Sequence, residues 1–164
     1  MPRPSLFRHL RDILLLPFTV TVIVPYLIIN STDHFIPDTL FLKIFAILFA
    51  LTGVALLFYT ITLFGLFGNG TLAPWDPTQK LVVLGPYRYV RNPMISGVFF
   101  ILIGETLFFH STSIAIWAVL FFFINTTYFI LVEEPSLEDR FGDEYRQYKK
   151  HVGRWIPRVT PYKS

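Results

Sequence analysis

The sequence predicts an all-α integral membrane protein: about four transmembrane helices plus a cytoplasmic amphipathic C-terminal helix. Three observations carry that expectation. Of the 164 residues, 53% are hydrophobic and 15% charged, against about 25% charged in a soluble domain. Mean hydropathy is +0.53. Apolar stretches of membrane-spanning length recur along the chain, separated by polar or turn-rich segments. The whole of 1–164 reads as one domain.

The first span is expected over 13–30. Arg3, Arg8 and Arg11 precede it, as in a secretory signal. However, the apolar stretch is too long for a signal core and no Ala-x-Ala site follows, so it reads as a retained span. Pro17 and Pro25 predict a kink that neighbouring helices can absorb. Residues 31–39 form a short connection with two acids and no Lys or Arg.

The second span, 40–67, is apolar apart from Lys43 and a few Thr, with Lys43 placed to snorkel. Gly65, Gly68, Asn69 and Gly70 end it. The loop 68–92 is long for so small a protein and rich in Trp, Tyr, Pro and Gly, including Trp75-Asp76-Pro77. That composition argues for an ordered, functional loop, with an extended piece at Leu81–Leu84. It closes on Gly85-Pro86-Tyr87-Arg88-Tyr89-Val90-Arg91-Asn92-Pro93-Met94. Gly-Pro and Asn-Pro are turn signals, and Pro93 suits the first turn of a helix.

The third and fourth spans, 93–110 and 112–132, are separated only around Ser111, which predicts a tight antiparallel hairpin. Glu105 is the sole charge between Asn92 and Glu133. An intramembrane acid is a functional candidate, but this one lies about 18 Å along the helix from Pro93. A paired structural or interfacial role is the expectation.

The tail, 133–164, opens on Glu133-Glu134-Pro135. Leu137, Phe141, Tyr145, Tyr148 and Val152 then recur at helical spacing, opposite Glu138, Asp139, Arg140, Asp143, Arg146, Lys149 and Lys150. This predicts an amphipathic helix at the membrane interface. Arg154-Trp155-Ile156-Pro157-Arg158 follows as an extended segment.

Lys and Arg concentrate in the N-terminal segment, the 68–92 loop and the tail, and are absent from 31–39 and the turn at Ser111. The positive-inside rule then places both termini in the cytoplasm, in a bacterial inner membrane or an endoplasmic-reticulum equivalent. Chemistry narrows further. With no cysteine, disulfides, thiolate metal sites and cysteine nucleophiles are excluded. His9, His34, His110 and His151 show no metal-ligand spacing, so no metal is expected. The net charge of +3 comes without a basic, aromatic-interleaved groove, so nucleic acid is not an expected partner. Nucleophile elbows and phosphate loops are also missing.

The topology has a chemical consequence. Arg91 and Asn92 begin the third span, and Glu133 and Glu134 end the fourth on the same side, so these residues share one depth. The tail can fold over them with Tyr145, Tyr148 and Arg154. Carboxylates, guanidiniums and aromatics would thus converge at one membrane face, suited to an amphoteric ligand.

These blocks, in this order over roughly 69–160, resemble the isoprenylcysteine carboxyl methyltransferase family, within a wider group that includes phospholipid methyltransferases. The resemblance implies a membrane-embedded methyltransferase that uses S-adenosylmethionine without a Rossmann domain, acting on a lipid or lipidated acceptor. It nominates Gly85, Tyr87, Tyr89, Arg91, Asn92, Pro93, Glu133, Glu134, Tyr145 and Tyr148 for the cofactor. Arg91, Glu134 and Arg154 are nominated for catalysis. Asn92 stands where eukaryotic members typically have His, and Ile95 where many relatives have Tyr. The first departure suits binding better than proton transfer; the second puts the acceptor in question. A carboxylate acceptor would need only positioning and exclusion of water. An amine would need a base, for which Glu133 or Glu134 could serve. The alternatives are an amine-directed phospholipid methyltransferase, a non-catalytic membrane protein retaining the fold, or a binder of another nucleotide cofactor.

Overall fold

The computed structural model describes residues 14–29, 36–63, 66–67 and 80–163. The N-terminal arginines, most of the 31–39 connection, the Gly68-Asn69-Gly70 end and Trp75-Asp76-Pro77 lie outside the described residues. Among those described, the regular structure is helical throughout. Helix α1 is π-helical over Leu14–Ile23 and α-helical over Val24–Ile28; α2 is Leu40–Leu63, α3 Pro93–Phe109 and α4 Thr112–Tyr128. A π-helical turn, Phe129–Glu133, runs α4 directly into α5, Glu134–His151. Leu40–Leu63 and the continuous Thr112–His151 run are long and apolar enough to cross a membrane; Pro17–Ile28 and Pro93–Phe109 are shorter apolar helices.

Antiparallel α2 and α3 meet at backbone distance because small residues face each other. A Cβ on Gly53 would lie 2.5 Å from the Gly97 carbonyl oxygen, and one on Gly104 would lie 2.7 Å from that of Ala46. Within an apolar medium, packing of this kind replaces the hydrophobic drive that water supplies elsewhere. The other face of α3 packs on α4 through Val98, Leu102, Ala118 and Phe121, with Val20 of α1 and Leu57 of α2 alongside. Pro25 has no N–H to return to the preceding turn, and Trp117 Nε1 donates to the Val20 carbonyl at 3.1 Å. Several hydroxyls inside the helices bond to preceding carbonyls, as Thr21, Thr60 and Thr126 do to Pro17, Leu56 and Phe122, whereas the buried Thr106 hydroxyl has no partner.

The hairpin turn between α3 and α4 is two residues. His110 adopts the left-handed conformation (φ 55°), and fully buried Ser111 accepts from Ile114 N at 3.2 Å. Lys43 does not simply snorkel: it pairs with Asp38 at 2.7 Å, and His110 Nε2 stands 3.3 Å from the same carboxylate. Glu105, expected to be paired or interfacial, has a buried Oε2 without a hydrogen-bond partner and lines a small groove with Ala46, Ala50 and Phe108.

The second span is α-helical to Leu63, and Leu66 and Phe67 are again helical. One further element differs from expectation. Helix α5 is broken at Gly142 (φ 55°, ψ −128°), a conformation that glycine alone adopts freely.

Candidate functional site

The 80–92 segment carries no helix before Gly85; Leu81–Leu84 has no regular structure, and Leu84 is extended (φ −127°, ψ 154°). Gly85 has φ +53°, and a Cβ there would also press on the Tyr59 hydroxyl at 2.8 Å, so both backbone and space call for glycine. Pro86 then opens a 3₁₀ turn, Gly85–Arg88, in which Tyr89 N and Val90 N both reach the Pro86 carbonyl. Tyr87 is buried between Leu63 and Val82, and that burial pushes its phenol pKa well up. Asn92 caps α3 with its backbone: its carbonyl receives Ser96 N at 3.1 Å and Ser96 Oγ at 3.0 Å. Pro93 is the first helical residue and fully buried.

The C-terminal tail is laced onto this segment by main-chain bonds. Arg91 N donates to the Gly153 carbonyl at 2.9 Å, Arg158 N to that of Tyr89 at 2.9 Å, and Tyr162 N to that of Arg88 at 2.8 Å. Arg88 Nε returns a bond to the Tyr162 carbonyl at 2.7 Å. From α5, the buried Tyr148 hydroxyl donates to the Tyr87 carbonyl at 2.6 Å. The apolar stripe of α5 is therefore covered by protein: Tyr145, Tyr148 and Val152 pack with Leu81, Val83, Leu137, Phe141 and Tyr162.

Glu134 sits where these segments meet. It is 4% exposed, among the most enclosed polar residues described. Its Oε1 accepts from Arg91 Nη1 at 2.9 Å and Arg154 Nε at 2.7 Å, while Oε2 stands 3.1 Å from Lys149 Nζ. Arg91 Nη1 also donates to the Tyr145 hydroxyl at 3.3 Å. Burial alone would raise the Glu134 pKa, but the Arg154 hydrogen bond, the Arg91 charge and the Lys149 contact outweigh it and hold the carboxyl below its ordinary value. Lys149 is shared with Glu138 at 2.7 Å.

Of the residues singled out from the sequence, Arg91, Glu134, Tyr145 and Arg154 stand in direct contact, and Tyr148, Tyr87, Asn92 and Pro93 frame them. Gly85 shapes the turn that precedes them. Tyr89 joins through its carbonyl, and the residue is 37% exposed. Glu133 does not join the cluster. Consecutive helical residues point about 100° apart, and Glu133 faces along the helix, 3.5 Å from the Tyr128 hydroxyl and near Arg140. Lys149, assigned from the sequence to the solvent face of α5, instead closes the cluster. Its signal was present: it lies one residue from Tyr148 on the edge of the stripe.

Trp155 follows Arg154 in the C-terminal motif. Its ring packs on Phe122 at 5.1 Å and Phe129 at 6.1 Å, and Phe122 in turn meets Phe99 at 5.3 Å. An aromatic ladder thus runs from α3 across α4 to the residue next to Arg154. Three N–H donors on these segments are buried without a hydrogen-bond partner: Arg91 Nε, Asn92 Nδ2 and Trp155 Nε1.

Residues 41–144 match the phospholipid methyltransferase family. The stretch holds Arg91, Asn92 and the two glutamates, while Tyr145, Arg154 and Trp155 lie beyond it. An uncharacterized protein of Haemophilus influenzae is 35% identical over 63 residues, which is 38% of this chain and all of that protein. Methanethiol S-methyltransferase 1 of Bradyrhizobium diazoefficiens is 39% identical over 82 residues, 43% of this chain. That match spans 24% of the relative's length.

Proposed function

The chain belongs to the phospholipid methyltransferase family, and from that premise we propose that it is an integral membrane methyltransferase that transfers a methyl group from S-adenosylmethionine to a lipid-like acceptor at the cytoplasmic face. Four spans with both termini in the cytoplasm put Arg91, Glu134 and Arg154 at that face. The observation that carries the reading is the Arg91–Glu134 contact of 2.9 Å, which joins the start of α3 to the end of the α4 run at a boundary between apolar helices and polar tail.

The residues fit such a cofactor. Arg91 Nε and Asn92 Nδ2 are buried donors without partners, which suits an amino-acid carboxylate. Tyr145 and Tyr148, buried with rings 6.2 Å apart, back this wall, and the Tyr145 hydroxyl accepts from Arg91. S-adenosylmethionine, when bound, supplies a methyl group on a positively charged sulfur, already activated for transfer. The protein's part is then to orient the acceptor and keep water out. Arg91 and Arg154 fix the polar wall through Glu134, and the tail covers it from the aqueous side. The helices beside the site carry exposed Phe, Leu and Ile. An acceptor with an alkyl or prenyl chain keeps about 0.8 kcal/mol per CH₂ by staying in that apolar medium. Sideways entry from the bilayer follows.

Calorimetry with S-adenosylmethionine and its demethylated product tests the cofactor. Micromolar binding to the wild type and its loss in Arg91→Ala is the expected result; equal affinity in both removes Arg91 from the site. Methyl transfer in nanodiscs to long-chain and truncated acceptors with one head group tests the rest, and equal kcat/KM for the two would refute sideways entry.

A further inference from the structure

The apolar stripe of α5 points inward, where Leu81, Val83, Phe141 and Tyr162 pack against Tyr145, Tyr148 and Val152. The face expected to lie on the membrane is therefore used up within the protein. Apolar surface reappears further along the tail. Val159 is 99% exposed and Ile156 81%, the two most exposed large hydrophobic residues among those described. On the helices, exposed Leu, Ile and Phe are what a chain surrounded by lipid carries. In a basic tail, two such residues three positions apart call for a partner.

Neighbouring contacts fix the depth of this segment. Trp155, next to Ile156, lays its ring on Phe122 and Phe129, and Phe122 meets Phe99. Phe99 lies six residues into α3 from Pro93, about 9 Å along the axis at about 1.5 Å per residue. Exposed Leu131 and Val132 carry the apolar surface of the α4 run down to Glu133. Arg154 bonds to Glu134, the next residue, at 2.7 Å. The tail thus returns to the end of the apolar helices and pushes the Trp155 ring in among them. Consecutive Cα atoms are about 3.8 Å apart, so Ile156 is held at that boundary. Its backbone is pinned: the Gly153 carbonyl accepts from Arg91 N, Arg158 N donates to the Tyr89 carbonyl, and a Cβ on Gly153 would lie 2.8 Å from the Ile156 carbonyl oxygen. Pro157 brings no N–H that an apolar medium would leave unsatisfied. Trp155, Tyr162 and Arg158 are residue types favoured at headgroup depth, and Arg158 and Lys163 bring positive charge toward lipid phosphates.

We propose that residues 155–159 form a membrane anchor, in which Ile156 and Val159 insert shallowly into the leaflet beside α3 and α4 and rest on lipid acyl chains. This rests on the membrane reading of the helices and extends it to the tail. The partner is the bilayer. Two side chains offer far less than the about 800 Å² per partner that a specific protein interface needs, whereas acyl chains need no matching shape. The anchored segment also carries Arg154 to Glu134 and is laced to Arg88 and Arg91. The polar cluster is then closed by main-chain bonds on one side of the segment and by lipid contacts on the other.

The cysteine-free chain permits a direct test. Ile156→Cys and Val159→Cys are compared with Leu51→Cys, on the exposed face of α2, and Asp143→Cys, at the exposed break of α5, in nanodiscs holding one copy each. The reagent is a membrane-impermeant maleimide. Protein shields neither tail position, so slow labelling there reads lipid. The thiolate is the reacting form, and apolar surroundings suppress it. Positions 156 and 159 should label at least about tenfold more slowly than 143, the loss of thiolate for one unit of pKa. In Val159→Ser, the Arg158 and Tyr162 amides should exchange about tenfold faster, the factor that burying one valine side chain is worth. Labelling at 156 and 159 as fast as at 143, or unchanged exchange in Val159→Ser, overturns the anchor, and slow labelling at 51 then leaves the membrane reading intact. Slow labelling at 156 and 159 only in vesicles carrying many copies assigns the surface to a second copy and overturns the anchor as well. Leu51→Cys that labels as fast as Asp143→Cys overturns the membrane reading, and this inference with it.

Discussion

Replacing Glu134 with Gln removes one charge from the point where three segments meet. Glu134 is 4% exposed, and its partners differ in exposure: the Arg91 side chain is 10% exposed, Arg154 22% and Lys149 38%. Breaking a buried ion pair by deleting one partner costs about 3–5 kcal/mol, because the other charge stays buried and uncompensated. Only Arg91 meets that condition fully. Arg154 is partly hydrated and Lys149 keeps Glu138, so surface screening discounts their share. The glutamine oxygen still accepts one bond. The net expectation is about 2–3 kcal/mol, falling on the junction between the tail and the 85–92 segment.

Hydrogen exchange reads this locally. The amides of Arg91, Arg158 and Tyr162 bond across the junction. A loss of about 2 kcal/mol would speed their exchange roughly 30-fold, since about 1.4 kcal/mol is tenfold. Amides inside α2 should not change. The same amides also report the ionisation of Glu134. Its folded pKa is depressed, so the stabilisation is fully present above the ordinary glutamate value of about 4.3 and fades as pH falls through the folded value. Wild-type protection, corrected for intrinsic exchange, should be flat from neutral pH down to about 5 and drop below the ordinary range. If exchange of the three amides is the same in Glu134→Gln and wild type, the main-chain lacing holds the tail alone and the reasoning fails.

Tyr148→Phe removes the donor to the Tyr87 carbonyl, 2.6 Å away and buried; a loss of about 1–3 kcal/mol in denaturant or thermal unfolding is expected. Gly53→Leu drives side-chain atoms into the Gly97 backbone. It should separate α2 from α3 and abolish monodisperse protein on size-exclusion chromatography, whereas Thr52→Val, at an exposed position on the same helix, should not. Arg91→Lys should weaken S-adenosylmethionine binding in calorimetry about tenfold, because a point charge does not replace a planar fork. The cysteine-free chain allows single-cysteine labelling of His34→Cys and Lys163→Cys. Reagent confined to the cytoplasmic side should modify position 163 and not position 34, and the reverse would invert the topology.

Sequence alone determined the helical class and its apolar runs, because burial in a membrane needs long stretches without charge and such stretches are visible in one dimension. The break of two residues at His110–Ser111 also fixed the hairpin, and the hairpin fixed that Arg91 and Glu134 share a depth. The stripe of Tyr145, Tyr148 and Val152 announced a face of α5 that had to be covered. What covers it was decided in three dimensions. The tail is held by main-chain bonds from Arg91, Arg158 and Tyr162, and every residue but proline carries the same backbone donor and acceptor, so these bonds leave little mark in a sequence. Gly53, Gly97 and Gly104 vanish into apolar runs, and only the crossing of α2 and α3 shows that each must lack a Cβ. Glu133 and Glu134 are equal as letters. Helical rotation separated them, turning one into the buried partner of three cations and leaving the other beside Tyr128.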